Sequence, residues 1–259
     1  MTPILFYGVP EGCSFGSIVA LEWLGQPYRL CRILMPEQVS GPKFRQVNPL
    51  GETPVLLTED GRLLAQSMAI LNHLAARGID RGLGFPPGSA DFDRLNEMLA
   101  FLNTSFFSAF SPLWHVLEHG LDDSAGATLT RWGREQVATA HAQLETLLAG
   151  RDWLLGERPS LADAYFAGIA RWADFHRAVD RRDYPGLDRL LRRLADDPAV
   201  RFAHAVEYGL AATSAGGFEG EVTLDQALRL VARSGAQDLA QQGEQLGLRL
   251  QERAAVPGE

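Results

Sequence analysis

The sequence predicts a mixed α/β domain followed by an all-helical domain, and three observations predict it. Up to Arg77, short apolar runs with strand character alternate with segments of helical periodicity. A stretch rich in glycine and proline follows, Gly78 to Ser89, with Gly82, Gly84, Pro86, Pro87 and Gly88. Beyond it the apolar residues recur almost only at helical spacing. The domains are therefore read as residues 1–78, a linker at 79–90, an all-helical domain at 91–210 and a helical C-terminal extension at 211–259.

Ile4-Leu5-Phe6-Tyr7 is a continuous apolar run closed by Gly8 and Pro10, as in a strand buried on both faces. A helix opens near Cys13 or Ser14, carries Ile18, Leu21 and Leu24 on one face, and stops at Gly25 before Pro27. Tyr28 to Leu34 is the next strand, which closes a βαβ unit. Asn48 to Ala75 then reads as loop, strand, tight turn, strand and helix. Val55-Leu56-Leu57 pairs back on Leu63-Leu64 through the Asp60-Gly61 turn, and Ser67 suits a helix N-cap.

In the second domain, Asp91 to about Phe107 holds Leu95, Met98, Leu99 and Leu102 at core spacing, and Pro112 kinks or restarts that helix. Thr128 to Leu148 is a long amphipathic helix. Ser160 with Asp163 is a capping-box variant opening a buried helix. After Ala211, Gly216, Gly217 and Gly220 read as a flexible joint. Thr223 to Gln226 opens a helix to about Arg233, and Gln241 to Arg253 reads as another. That extension is a docked surface segment, or it folds over an active-site mouth or a subunit interface.

With 46% hydrophobic and 22% charged residues the composition is that of an ordinary globular protein. A formal charge of -8 argues against nucleic acid or an anionic membrane as partner. No segment approaches the ~20 apolar residues of a membrane span. The start, MTPILFYG, reads as a strand and not as a signal peptide. Two cysteines, Cys13 and Cys31, make no disulfide framework, and the six histidines show no metal-ligand spacing. A cytoplasmic location without a bound metal is the expectation.

Three places carry chemistry. Cys13-Ser14 at a helix start sits at the positive end of the helix dipole, which favours a thiolate there. The plain alternative is a serine N-cap beside a small buried cysteine. Thr53-Pro54-Val55 puts a proline at the mouth of a strand, a position that admits a cis peptide, with the Val55 N–H and C=O offered to an extended peptide. Gln66-Ser67 brings an amide, a hydroxyl and unpaired backbone N–H groups to a helix start, which suits a carboxylate. An ordinary hairpin followed by a capped helix is the plain alternative for this whole stretch.

The Asn48–Ala75 stretch resembles the NPxGxxPxL…(E/Q)SxAI pattern of the glutathione S-transferases. YGVPEGCSFGSIVALEWLG is similar to the corresponding segment of the bacterial beta-class and related members, and the resemblance covers about residues 4–209. It implies a thioredoxin-like βαβαββα domain followed by a helical bundle, glutathione as co-substrate, and a homodimer. It also implies a cytoplasmic enzyme of detoxification that activates the glutathione thiolate against a hydrophobic electrophile.

By that resemblance Ser14 donates to the thiolate, and Cys13 does likewise or forms a mixed disulfide. Tyr7 is a weaker candidate. Pro54 is the cis proline, and Thr53, Pro54 and Val55 hold the cysteinyl backbone, with Val55 as the pairing residue. Gln66 and Ser67 hold the γ-glutamyl end, and Val9, Phe107, Phe110 and Trp114 line the pocket for the electrophile. Two departures stand out. Pro36-Glu37 replaces the lysine that beta-class members carry after the second strand, leaving Lys43 and Arg45 as nearby cations. Ala100 and Phe107 stand where those members place an asparagine and a histidine. The same fold also accommodates a thiol–disulfide oxidoreductase acting through Cys13, or a binding protein without catalysis.

Overall fold

The computed structural model describes residues 1–234. The first elements are β1 (Ile4–Val9), α1 (Phe15–Leu24), β2 (Tyr28–Leu34), β3 (Val55–Leu57), β4 (Leu63–Ala65) and α2 (Ser67–Arg77). Next come α3 (Ala90–Phe101), α4 (Ser111–His119), α5 (Ser124–Leu148), α6 (Leu161–Ala170) and the single turn α7 (Trp172–Phe175). The chain ends its described part with α8 (Pro185–Ala195), α9 (Pro198–Glu207), β5 (Phe218–Glu221) and α10 (Leu224–Ser234). The helix read over Gln241–Arg253 lies outside the described residues. These elements form two compact units. Among the described residues, one holds Met1–Ser14, Gln26–Ile70 and residues 217–234, and the other holds Phe15–Gly25 and Leu71–Gly216.

The first unit is built on a mixed sheet in the order β4-β3-β1-β2-β5. β1 runs parallel to β2 with Phe6 opposite Cys31, and antiparallel to β3 with Phe6 opposite Val55. The Asp60-Gly61 turn joins β3 to β4 as the sequence predicts, with Gly61 at φ +83°. One sheet face buries Ile4, Phe6, Cys31, Ile33, Val55 and Leu57 in a single apolar cluster. The βαβαββα order implies a helix between β2 and β3, and here the chain departs from it. Pro36, Gly41, Pro42, Pro49 and Gly51 interrupt that segment, and only a 3-10 turn at Phe44–Gln46 forms.

The C-terminal segment joins the same unit. β5 pairs with β2 at Tyr28↔Phe218 and Leu30↔Glu221, and the Val222 N–H donates to the Leu30 carbonyl at 2.8 Å. α10 sets Ala227 and Val231, both fully buried, into the apolar cluster. The glycines before β5 serve close approach rather than a loose joint. A Cβ on Gly217 would lie 2.0 Å from the Gln26 carbonyl oxygen.

The second unit is helical. α1 crosses α6 where Gly16 meets Gly168, and a Cβ on Gly16 would come within 2.6 Å of the Ala164 carbonyl oxygen. α3 does not run on as one helix. It passes through a π turn at Leu102–Phe107 and a 3-10 turn at Ser108–Phe110 before α4 restarts with Pro112 in its first turn. The capping box at Ser160 and Asp163 is present. The Asp163 carboxylate accepts from the Ser160 N–H at 2.8 Å, the Ser160 hydroxyl at 2.9 Å and the Leu154 N–H at 2.9 Å.

His141 on α5 sits among Phe106, Phe110 and Tyr184 and bonds through Nδ1 to the Val137 carbonyl at 2.8 Å. Burial holds its pKa down at about 4, with Arg181 adding to the shift and Val137 and Asp174 opposing it. Between that value and the ordinary 6.5 the unfolded chain binds a proton that the fold does not, so stability falls as pH drops through this window. The full loss is on the order of 3 kcal/mol for this group. His176 is pushed down in the same way. Urea melts of the parent should weaken from pH 7 to pH 4.5, and His141→Phe should flatten that fall without abolishing it.

Candidate active site

The β1–α1 loop is wound tightly on itself. The Ser14 hydroxyl oxygen accepts from the Gly8 N–H at 3.0 Å, and a Cβ on Gly12 would lie 2.1 Å from the Gly8 carbonyl oxygen. This turns Ser14 inward, and it is 1% exposed. The Ser14 hydroxyl thus braces the loop that carries Cys13. Its neighbour Cys13 stays partly exposed, and its thiol donates to the Thr53 carbonyl at 3.4 Å. Cys31 is a different thiol. It is enclosed in the apolar cluster, and burial pushes it up to about 12.

Thr53 and Pro54 are joined by a cis peptide. Gly8 lets the Thr53 side chain close on β1, since a Cβ there would fall 2.3 Å from Thr53 Oγ1. Val55 does not offer the free edge expected of it. It is paired on one side with Phe6 and on the other with Ala65, and it is 1% exposed. Its ladder is already full. Thr53, two residues earlier, lies outside the strand, is partly exposed, and has no hydrogen-bond partner for its N–H among the described residues. The free N–H therefore belongs to Thr53, whose carbonyl accepts from the Cys13 thiol.

The loop before Thr53 is braced from within. Asn48 is 5% exposed, donates to the Glu52 carbonyl at 2.7 Å and accepts from the Leu50 N–H at 3.2 Å. The Glu52 carboxylate in turn accepts from Gln66 Nε2 at 3.3 Å. Gln66 is exposed and held at φ +74°, a left-handed backbone that side chains other than glycine rarely adopt. Strain of this kind gathers at binding sites. Ser67, the first residue of α2, is 6% exposed.

The remaining candidates divide. Tyr7 donates to Glu221 Oε1 at 2.7 Å and accepts from Arg32 at 3.3 Å. Burial first, and Glu221 next, hold its phenol well above the usual range. Lys43 is paired with Asp225 at 2.8 Å, and Arg45 donates to the Pro49 carbonyl at 2.7 Å. In the helical unit Phe110 is fully buried against Phe106 and Trp172, which makes it core and not a pocket wall. Phe107 and Trp114 keep some exposed surface, and Trp114 stacks on Phe175 at 5.3 Å. Val9 in the sheet unit is 3% exposed. Among the described residues no group of three or more His, Cys, Asp or Glu could hold a metal ion, and no helix is long and apolar enough to cross a membrane.

A sheet unit with a partly open thiol in the β1–α1 loop, facing the loop that leads into β3, and a separate helical unit together define the thioredoxin-like two-part class. Residues 13–77 match the N-terminal domain of glutathione S-transferases, and residues 113–198 match their C-terminal domain. A glutathione S-transferase of Escherichia coli O157:H7 is 31% identical over 215 residues, covering 78% of this chain and 98% of its own. One from Xanthomonas campestris is 29% identical over 202 residues, 78% of this chain and 97% of its own. Among solved structures, a sphingomonad glutathione S-transferase complexed with glutathione aligns with TM-score 0.69 at 30% identity, over 80% of this chain and 100% of that one. The chain belongs to the glutathione S-transferase family.

Proposed function

We propose that this protein transfers glutathione to hydrophobic electrophiles, with Cys13 as the group that meets the glutathione sulfur. The observation that carries the assignment is the partly exposed Cys13 thiol donating to the Thr53 carbonyl. Glutathione lies as an extended peptide against Thr53, whose carbonyl accepts from the cysteinyl N–H and whose N–H donates to the cysteinyl carbonyl. Its sulfur then falls beside Cys13, whose S–H turns from the Thr53 carbonyl to donate to the glutathione thiolate and stabilise it. The thiolate forms the new C–S bond at the electrophilic carbon, whose displaced electron pair leaves with a leaving group or takes up a proton. Pro54 shapes the turn, Ser14 locks the loop that carries Cys13, and Gln66 and Ser67 receive the γ-glutamyl end. The family supports extending the reading to a cytoplasmic homodimer working in detoxification, and the net charge of -8 speaks against a nucleic-acid partner.

Titration calorimetry with glutathione and a turnover assay with an activated aryl halide test this reading. No heat at millimolar glutathione would overturn it. Gln66 gives a sharper check, because its left-handed backbone suits glycine at least as well. Gln66→Gly should melt within about 1 kcal/mol of the parent. It should bind glutathione roughly tenfold more weakly, the effect of one lost hydrogen bond to a charged group.

A further inference from the structure

We infer that the C-terminal helix α10 is a positioning element for the glutathione loop, standing in for the helix that the segment between β2 and β3 does not form. The inference rests on the glutathione reading of the site. Without that helix, Phe44 and Val47 are the buried residues of the segment that join the apolar cluster on the sheet. α10 completes the cover with Ala227 and Val231, both fully buried, and with Leu224, Leu228 and Leu230 packed at the edge. The same helix reaches the segment by charge, through Asp225 on Lys43 at 2.8 Å. β5 anchors it, with hydrogen bonds from Tyr28 N–H to the Gly217 carbonyl at 3.0 Å and from Val222 N–H to the Leu30 carbonyl at 2.8 Å.

The path from α10 to the site is short and continuous. Val231 shares the apolar cluster with Phe44 and Val47. The Phe44 carbonyl accepts from the Val47 N–H at 2.8 Å and from the Asn48 N–H at 3.0 Å. Asn48 fixes the Glu52 carbonyl, and the next residue is Thr53, whose carbonyl meets the Cys13 thiol. The seat of α10 thus sets where Thr53 stands relative to Cys13.

Val231→Asp, which drives a carboxylate into the cluster, and Asp225→Lys, an exposed charge reversal against Lys43, test the inference in the full chain. Each is assayed for folding by circular dichroism, for amide exchange over residues 44–53, and for KM toward glutathione and toward the aryl halide. The expected result for Val231→Asp is faster exchange over 44–53 and a KM for glutathione raised roughly tenfold, with the aryl halide KM unchanged. Asp225→Lys should move both readouts the same way by a smaller factor, and it carries the test should Val231→Asp not fold. A helix of merely structural importance would lower the amount of active enzyme and leave KM alone. That outcome, or unchanged exchange over 44–53 in a folded variant, overturns the inference. A parent that binds no glutathione would instead sink the functional reading, while the exchange comparison still decides whether α10 positions the loop.

Discussion

Cys13→Ala is expected to lower kcat/KM for glutathione transfer roughly 10²-fold, the usual loss when one donor to a developing or stabilised anion is removed. Its thermal unfolding should stay within about 1 kcal/mol of the parent, because the side chain is partly exposed and its S–H···O contact with Thr53 is weak. Ser14→Ala should show the reverse pattern. The hydroxyl is 1% exposed and accepts from the Gly8 N–H, so its removal strands a buried donor at about 1–3 kcal/mol. Activity would then fall through the loop, in step with stability. Steady-state kinetics and melting curves on both variants decide the matter. Full turnover in Cys13→Ala, together with a dead but fully stable Ser14→Ala, would move the thiolate partner to Ser14.

Two adjacent residues, Cys13 partly exposed and Ser14 turned inward, show what spacing can and cannot reveal. The pair Cys13-Ser14, the proline at Pro54 and the Gln66-Ser67 start of α2 are local signals, and the structure puts each at a loop or helix start as expected. Which of Cys13 and Ser14 turns outward depends on the Gly8 N–H across the loop, a contact that spacing does not reveal. Val55 differs from the expectation for a related reason. A strand opening after a proline looks like an edge until its neighbours on both sides, Phe6 and Ala65, are known. β5 escaped altogether, since Phe-Glu-Gly-Glu shows neither an apolar run nor a turn signal. It forms because the rim of β2 offers it unpaired N–H and C=O groups. The packing of α10 on the sheet is likewise a long-range event, and Pro36, Gly41, Pro42, Pro49 and Gly51 interrupt the segment between β2 and β3.

Asp163→Ala is expected to destabilise the fold by on the order of 3–5 kcal/mol. Alanine leaves the Leu154 and Ser160 N–H groups buried without an acceptor and frees the Ser160 hydroxyl. That is a large share of the roughly 5–15 kcal/mol that stabilises most domains. Asp163→Asn should cost about half as much, since one oxygen still serves the Leu154 N–H while an NH2 now opposes the Ser160 N–H. Acid separates this group from His141. Burial raises the Asp163 carboxyl to about 6, above its ordinary 3.8. Between those values the folded chain holds a proton that the unfolded chain has released, so this group favours the fold as pH falls, opposite in sign to His141. The stability gap between parent and Asp163→Asn, measured in urea, should therefore widen from pH 7 to pH 5. A gap that stays flat would mean that the three donors keep the carboxylate ionised through that range.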